Sequence, residues 1–161
     1  MNGKMDFSKS DLSELKKFAK KSSKVFTKAQ KKASLQLLTW MNTGSGGTPE
    51  SRKPPIRWGI LRGSSSAFVG DQKVGDFRIN VKPGSKEQIS PATSYVAPPG
   101  TTTILYNTAY DAKMHELPGP WGEFTEQDGD AGAKWIERHL QTDKDLFMKV
   151  IGIEFKKDMH L

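Results

Sequence analysis

The sequence contains no cysteine. Disulfides, thiol nucleophiles and Cys-ligated zinc are excluded at once. Apolar residues are also scarce, at 35% with 9% aromatic, and the mean hydropathy is −0.62. A chain of 161 residues is long enough for one domain with its own core. With so few apolar side chains, it either exposes much surface or completes its core against a neighbouring subunit. No run approaches the roughly 18 consecutive apolar residues of a membrane-spanning helix. The opening stretch MNGKMDFSKSDLSELKK lacks the apolar h-region expected of a signal peptide, and the lack of cysteine fits an intracellular site of synthesis.

Signatures of chemistry are missing as well. His115-Glu116 begins like a zincin helix but continues into Leu117-Pro118-Gly119, with no second His four residues on. His115, His139 and His160 fall in different elements. Ser64-Ser65-Ser66 lacks the glycine frame of a nucleophile elbow. The GSGG at 44–47 has no following Lys-Ser/Thr and is no phosphate loop. No dinucleotide fingerprint follows a strand. The sequence therefore predicts neither an enzyme nor a bound metal or cofactor.

Charge is the informative surplus. Residues 1–42 hold ten Lys against three acids, whereas residues 43–161 balance 15 bases with 15 acids. The whole excess of +7 thus sits in the first segment. Residues 116–130 run the other way, with Glu116, Glu123, Glu126, Asp128 and Asp130 and no base. One basic and one acidic segment suggest charge-matched contacts between elements or subunits.

Leu12, Leu15, Phe18, Ala19, Ser22, Val25, Phe26, Ala29, Ala33, Leu37 and Met41 recur at spacings of three and four. They predict an amphipathic helix over residues 11–42, capped by Ser8 and ended by Gly44. At 1.5 Å per residue it would be about 48 Å long, so one end is expected to project. Lys17, Lys20, Lys24, Lys28 and Lys31 occupy its other side. They form either a solvated face or a contact for a polyanion such as DNA, although no aromatics are interleaved for base stacking.

Residues 44–55 read as a linker. Residues 56–69 and 74–81 read as two strands of a hairpin around Gly70–Lys73, with Gly59 and Gly63 marking a bulge or close backbone approach. Residues 82–100, rich in Pro, Ser and Gly, read as a long mobile loop with one short strand at 94–97. Residues 101–117, TTTILYNTAYDAKMHEL, form the most β-prone apolar run and read as the central strand. An acidic loop at 118–130 and an amphipathic C-terminal helix at 131–158, capped by Asp130, complete the chain. The expected fold is a single α+β domain, an antiparallel sheet packed by the long N-terminal helix and the C-terminal helix. Among the tryptophans Trp40, Trp58, Trp121 and Trp135, Trp121 in its Pro-Gly loop is a candidate inter-subunit anchor.

Three motifs resemble one family. Gly59-Ile60-Leu61-Arg62-Gly63-Ser64, preceded by Pro54-Pro55, resembles the Thr-Gly-x-Leu-Arg-x-Ser signature of the neck and tail-completion proteins of tailed bacteriophages, also described as minor tail components. Trp58 stands where that family has Thr. Asn107–Glu116 is similar to its second signature, with Asp111 inserted between Tyr110 and Ala112. Gly132-Ala133-Lys134-Trp135-Ile136-Glu137 is similar to the third, which starts the C-terminal helix.

The resemblance implies a structural virion protein made in the host cytoplasm. It would form a homo-oligomeric ring at the head–tail junction, between connector or head-closure and tail-terminator or tail-tube proteins, around the DNA channel. No catalytic residue carries over. Arg62, Tyr110, Met114 and His115 would then be fold and interface positions, joined by Trp121, Glu123 and Glu126 of the acidic loop. The alternative is a small basic nucleic-acid-binding protein that uses the Lys-rich helix.

Overall fold

The structure, a computed structural model, describes residues 9–44, 60–79, 89–108 and 135–160. Helix α1 runs over Lys9–Thr43, about 52 Å at 1.5 Å per residue. Its end is the expected one. Gly44 adopts φ 71°, and its N–H donates to the Trp40 carbonyl at 2.9 Å, so an orphan carbonyl of the last turn is satisfied where only glycine sits without strain.

Residues 60–63 do not continue a strand. They form a single helical turn, α2 (Ile60–Gly63), and the sheet begins after it with β1 (Ser65–Val69). Ser64 and Ser65 explain the switch: their hydroxyls donate to the carbonyls of Leu61 and Arg62, each at 2.7 Å. Such short-range side-chain bonds hold a turn against the extended alternative. Gly63 is a close-approach glycine, because a Cβ there would stand 2.5 Å from Ile89 Cδ1.

β1 pairs antiparallel with β2 (Gln72–Asp76) through a two-residue turn, with Val69 opposite Gln72. Gly70 at φ 60° takes the first turn position, which in a type II′ hairpin demands glycine. The register slips once, since Ala67 faces Gly75 and Phe68 faces Lys73. Val74 is therefore the extra residue of a bulge, placed in β2 and not at the glycines before β1.

The third strand, β3 (Thr102–Tyr106), pairs antiparallel with the other side of β1. The order β2-β1-β3 corrects the expectation that 101–117 supplies the central strand. The centre is β1, buried along its whole length, and β3 is an edge. β3 lies in the more β-prone run by sequence, but β1 alone is covered on both faces. Ser65, Ala67 and Val69, with their partners Thr102, Ile104 and Tyr106, face α1. There Asn42 Nδ2 donates to Ser65 Oγ at 2.9 Å, and Gln30 Nε2 donates to Thr102 Oγ1 at 3.1 Å. Phe68 faces the other way against Tyr95, with ring centroids 5.8 Å apart.

That outer cover comes from residues 89–100, which hold no strand. Ala92 is buried, Ser90 accepts a 2.8 Å bond from Asn107 Nδ2, and Thr101 O accepts from Gly70 N at 2.8 Å. The expected short strand at 94–97 is absent because these residues lie on the sheet instead of pairing at its edge.

The C-terminal region is two helices, α3 (Trp135–Thr142) and α4 (Lys144–Met159), not one. They meet at Asp143, which is fully buried together with His139. Asp143 takes the N-cap position of α4 but makes no side-chain cap bond. Its carboxylate instead receives the His139 Nδ1–H, and the Thr142 hydroxyl at 3.1 Å. Side-chain bonding of this kind competes with helix continuation.

α4 packs on α1, through Ile151 against Ala29 and Ala33 with Phe147, Val150 and Phe155 around them. The layers are thus sheet, α1 and α4, with the long helix shared. A second cluster, Met41, Leu61 and Tyr106 with Leu37, Ile104 and Ile136, closes the C-terminal end of α1. No helix of the described residues is long and apolar enough to cross a membrane.

Candidate interaction surface on the basic helix

The polar face of α1 divides in two. Towards its C-terminal half the lysines are engaged within the subunit. Lys28 Nζ lies 2.8 Å from Asp158 Oδ2, Lys32 pairs with Glu154, and Lys31 Nζ donates to Gln72 Oε1 at 2.6 Å. Lys28 and Lys31, two of the five lysines expected to face a polyanion or partner, are thus tied to α4 and to the hairpin. Antiparallel packing brings this about: Asp158 and Glu154, one turn apart on α4, meet Lys28 and Lys32, one turn apart on α1.

The hydrogen bond from Lys32 holds the Glu154 carboxyl below its ordinary range, and that from Lys28 does the same for Asp158. Glu154 in turn raises the Lys32 ammonium. A depressed carboxylate adds stability above its unfolded pKa and loses it as pH falls through the folded one. With ordinary values of 4.5 for Glu154 and 3.8 for Asp158, that loss falls below about pH 4. The raised lysine contributes below its ordinary 10.5 and loses its contribution as pH climbs past it. Melting of wild type and Glu154→Gln at several pH values checks this. The gap between them is expected at pH 7, and should vanish at low pH and in ~1 M salt, where surface pairs are screened.

The N-terminal half differs. Residues 12–21 are exposed all round. Lys17, Lys20 and Lys24 are exposed, and none makes an ion pair among the described residues. The apolar stripe is uncovered too: Leu12 is 46%, Leu15 53% and Phe18 59% exposed. It is the same stripe that buries Ala29 and Ala33 completely, since positions 15, 18, 22, 25, 29 and 33 share one helical face. The stripe therefore continues for about three turns past the end of α4. Residues 9–24 form an arm about 24 Å long that carries an apolar seam on one side and bare lysines on the other.

Of the other expected contact residues, Arg62 lies inside the subunit, 7% exposed, so it is a fold residue and not part of an exposed surface. Tyr110, Met114, His115, Trp121, Glu123 and Glu126 lie outside the described residues. Among the described residues no group of three or more His, Asp or Glu could hold a metal ion. The His139–Asp143 pair was missed by sequence reasoning, although a His and an Asp four apart on one helix were the available signal.

No protein-family model matches this chain, and no curated protein or solved structure matches it either. Its functional reading rests on the arm, on the division of charge and on the three motifs.

Proposed function

We propose that the chain is a structural subunit of a tailed-phage virion. It assembles into a homo-oligomeric ring at the head–tail junction, between the connector or head-closure ring and the tail-terminator or tail tube. The arm carries this reading. A helix that leaves Leu12, Leu15 and Phe18 exposed presents an apolar surface that none of the described residues covers, the kind of patch that marks an interaction site. The low apolar fraction and the order of the three motifs agree. A heterologous contact, in which one patch meets a different patch on the next copy, closes into a ring when the rotation allows. Mass spectrometry and imaging of purified virions test the assignment. The protein is expected in several copies at the neck, and its absence from particles would overturn the reading.

A second reading keeps the lysines for nucleic acid. It is favoured by Lys17, Lys20 and Lys24, which make no ion pair among the described residues. On this reading DNA affinity falls steeply with salt, and changing these three to Gln flattens the salt slope by about 3. Lys28 and Lys31 belong outside that test, since both are engaged within the subunit. Unchanged binding in the triple variant discards the nucleic-acid reading and leaves the ring intact.

A further inference from the structure

We infer that residues 9–24 of α1 pair antiparallel with the same residues of a second copy of the chain. The contact goes beyond the ring reading. It is two-fold, so by itself it closes at a dimer, and a ring needs a further surface. The covered half of the helix argues for it first. Ile151 of α4 packs on Ala29 and Ala33, and the pairs Lys28–Asp158 and Lys32–Glu154 fix the two helices antiparallel. Where the seam of α1 is covered, its occupant is therefore an antiparallel helix. α4 ends at Met159, and none of the described residues covers Leu12, Leu15 and Phe18, which stay exposed. A partner's arm laid antiparallel on this stretch continues the line of α4 in the same direction. The N-terminus of one helix then follows the C-terminus of the other, the favourable order for helix dipoles.

Spacing and size fit the arm to its own copy. Leu12, Leu15, Ala19, Ser22, Phe26, Ala29 and Ala33 alternate steps of three and four, the seven-residue repeat by which one helix seats another. In an antiparallel pair the numbers of facing residues have a constant sum. Setting Leu15 against the partner's Ala19 therefore sets Leu12 against the partner's Ser22, and each layer of the seam joins a large side chain to a small one. Phe18 falls beside the two-fold axis, close to its own copy. The lysines permit this pairing. Lys17, Lys20, Lys21 and Lys24 lie on the side of the helix away from the seam. With axes 8–10 Å apart, the two lysine rows stand about 20 Å from each other, roughly twice the Debye length at physiological salt. Only Lys16 flanks the seam. A nucleic acid fits the seam less well, since phosphates would meet the lysine side and leave Leu12, Leu15 and Phe18 bare.

Because the chain has no cysteine, single introduced thiols read the register on the full-length protein. Leu12 is exposed and Ser22 half-buried, so Leu12→Cys and Ser22→Cys should both keep the wild-type urea midpoint. Under mild oxidation, an equimolar mixture of the two variants should give a disulfide-linked dimer with one of each. Either variant alone should give almost none. Ten residues of helix hold its thiol about 15 Å from its own copy, well past the ~7 Å between Cα atoms that a disulfide spans. Leu15→Ala should weaken association by about 30-fold, as for a central apolar anchor, and raising salt should not weaken it. Cross-linking of Leu12→Cys with itself means parallel pairing and overturns the inference. So does a monomer whose mixed variants never cross-link, the result if another part of the same chain, a membrane or a nucleic acid occupies the seam. Larger species whose mixed variants fail to cross-link overturn the contact and leave the ring reading standing. Cross-linked dimers of a protein absent from virions do the reverse.

Discussion

Phe68→Ala is expected to destabilise the subunit by about 3–5 kcal/mol, the usual range for emptying a phenylalanine site in a packed core. Phe68 has no exposed surface and stands on the outer face of β1, against Tyr95. The cavity left behind would be walled by the central strand, which cannot move without breaking both ladders, and by an irregular segment held through few bonds. Only the second of these can collapse inwards. Urea denaturation should show a lower midpoint with an unchanged slope. The informative control is the same substitution at Phe18, which is 59% exposed and should shift the monomer's stability by no more than ~0.5 kcal/mol. The same mutation at two sites then separates a buried ring from an exposed one: Phe68→Ala acts on unfolding, and Phe18→Ala leaves it nearly unchanged.

Asp143→Ala has the second large effect, about 3 kcal/mol. His139 and Asp143 are buried together at the joint between α3 and α4. Removing the carboxylate leaves a polar ring that water does not reach. An orphaned neutral partner costs about 1–3 kcal/mol, and an orphaned charge about 3–5 kcal/mol. Replacing both residues by Leu should cost much less than either single change, because neither partner is then stranded. A double-mutant cycle of thermal unfolding reads that coupling directly. Additive losses would mean that the pair merely fills space.

The contrast between strands explains what sequence patterning can reach. α1 was legible because its apolar residues keep one period for more than thirty residues and its end is marked by Gly44. β1 was not. Ser65 and Ser66 look like surface residues, and the strand is buried only because α1 covers one face and residues 89–100 the other. Their hydroxyls are satisfied by residues distant in sequence, Ser65 by Asn42 and Ser66 by Asp76 at 2.6 Å, contacts that no local pattern announces. The run at 101–117 misled in the opposite sense: β-propensity reports fit to a pleated surface, not a place in the strand order.

The arm was half legible. Its length announced a projection, and its lysines announced a charged face. That Lys28 and Lys31 would be held by Asp158 and Gln72, while Lys17, Lys20 and Lys24 stay exposed, depends on where α4 stops. Packing settles this, not composition. The exposed apolar seam of Leu12, Leu15 and Phe18 follows from the same fact.

The central proposal is that this chain assembles with copies of itself, and the exposed apolar stripe of α1 is what supports it. Light scattering of the wild-type protein over a range of concentration and ionic strength tests it most directly. The account predicts a discrete assembly at a multiple of 17.9 kDa. A single 17.9 kDa species at every concentration and salt would contradict it.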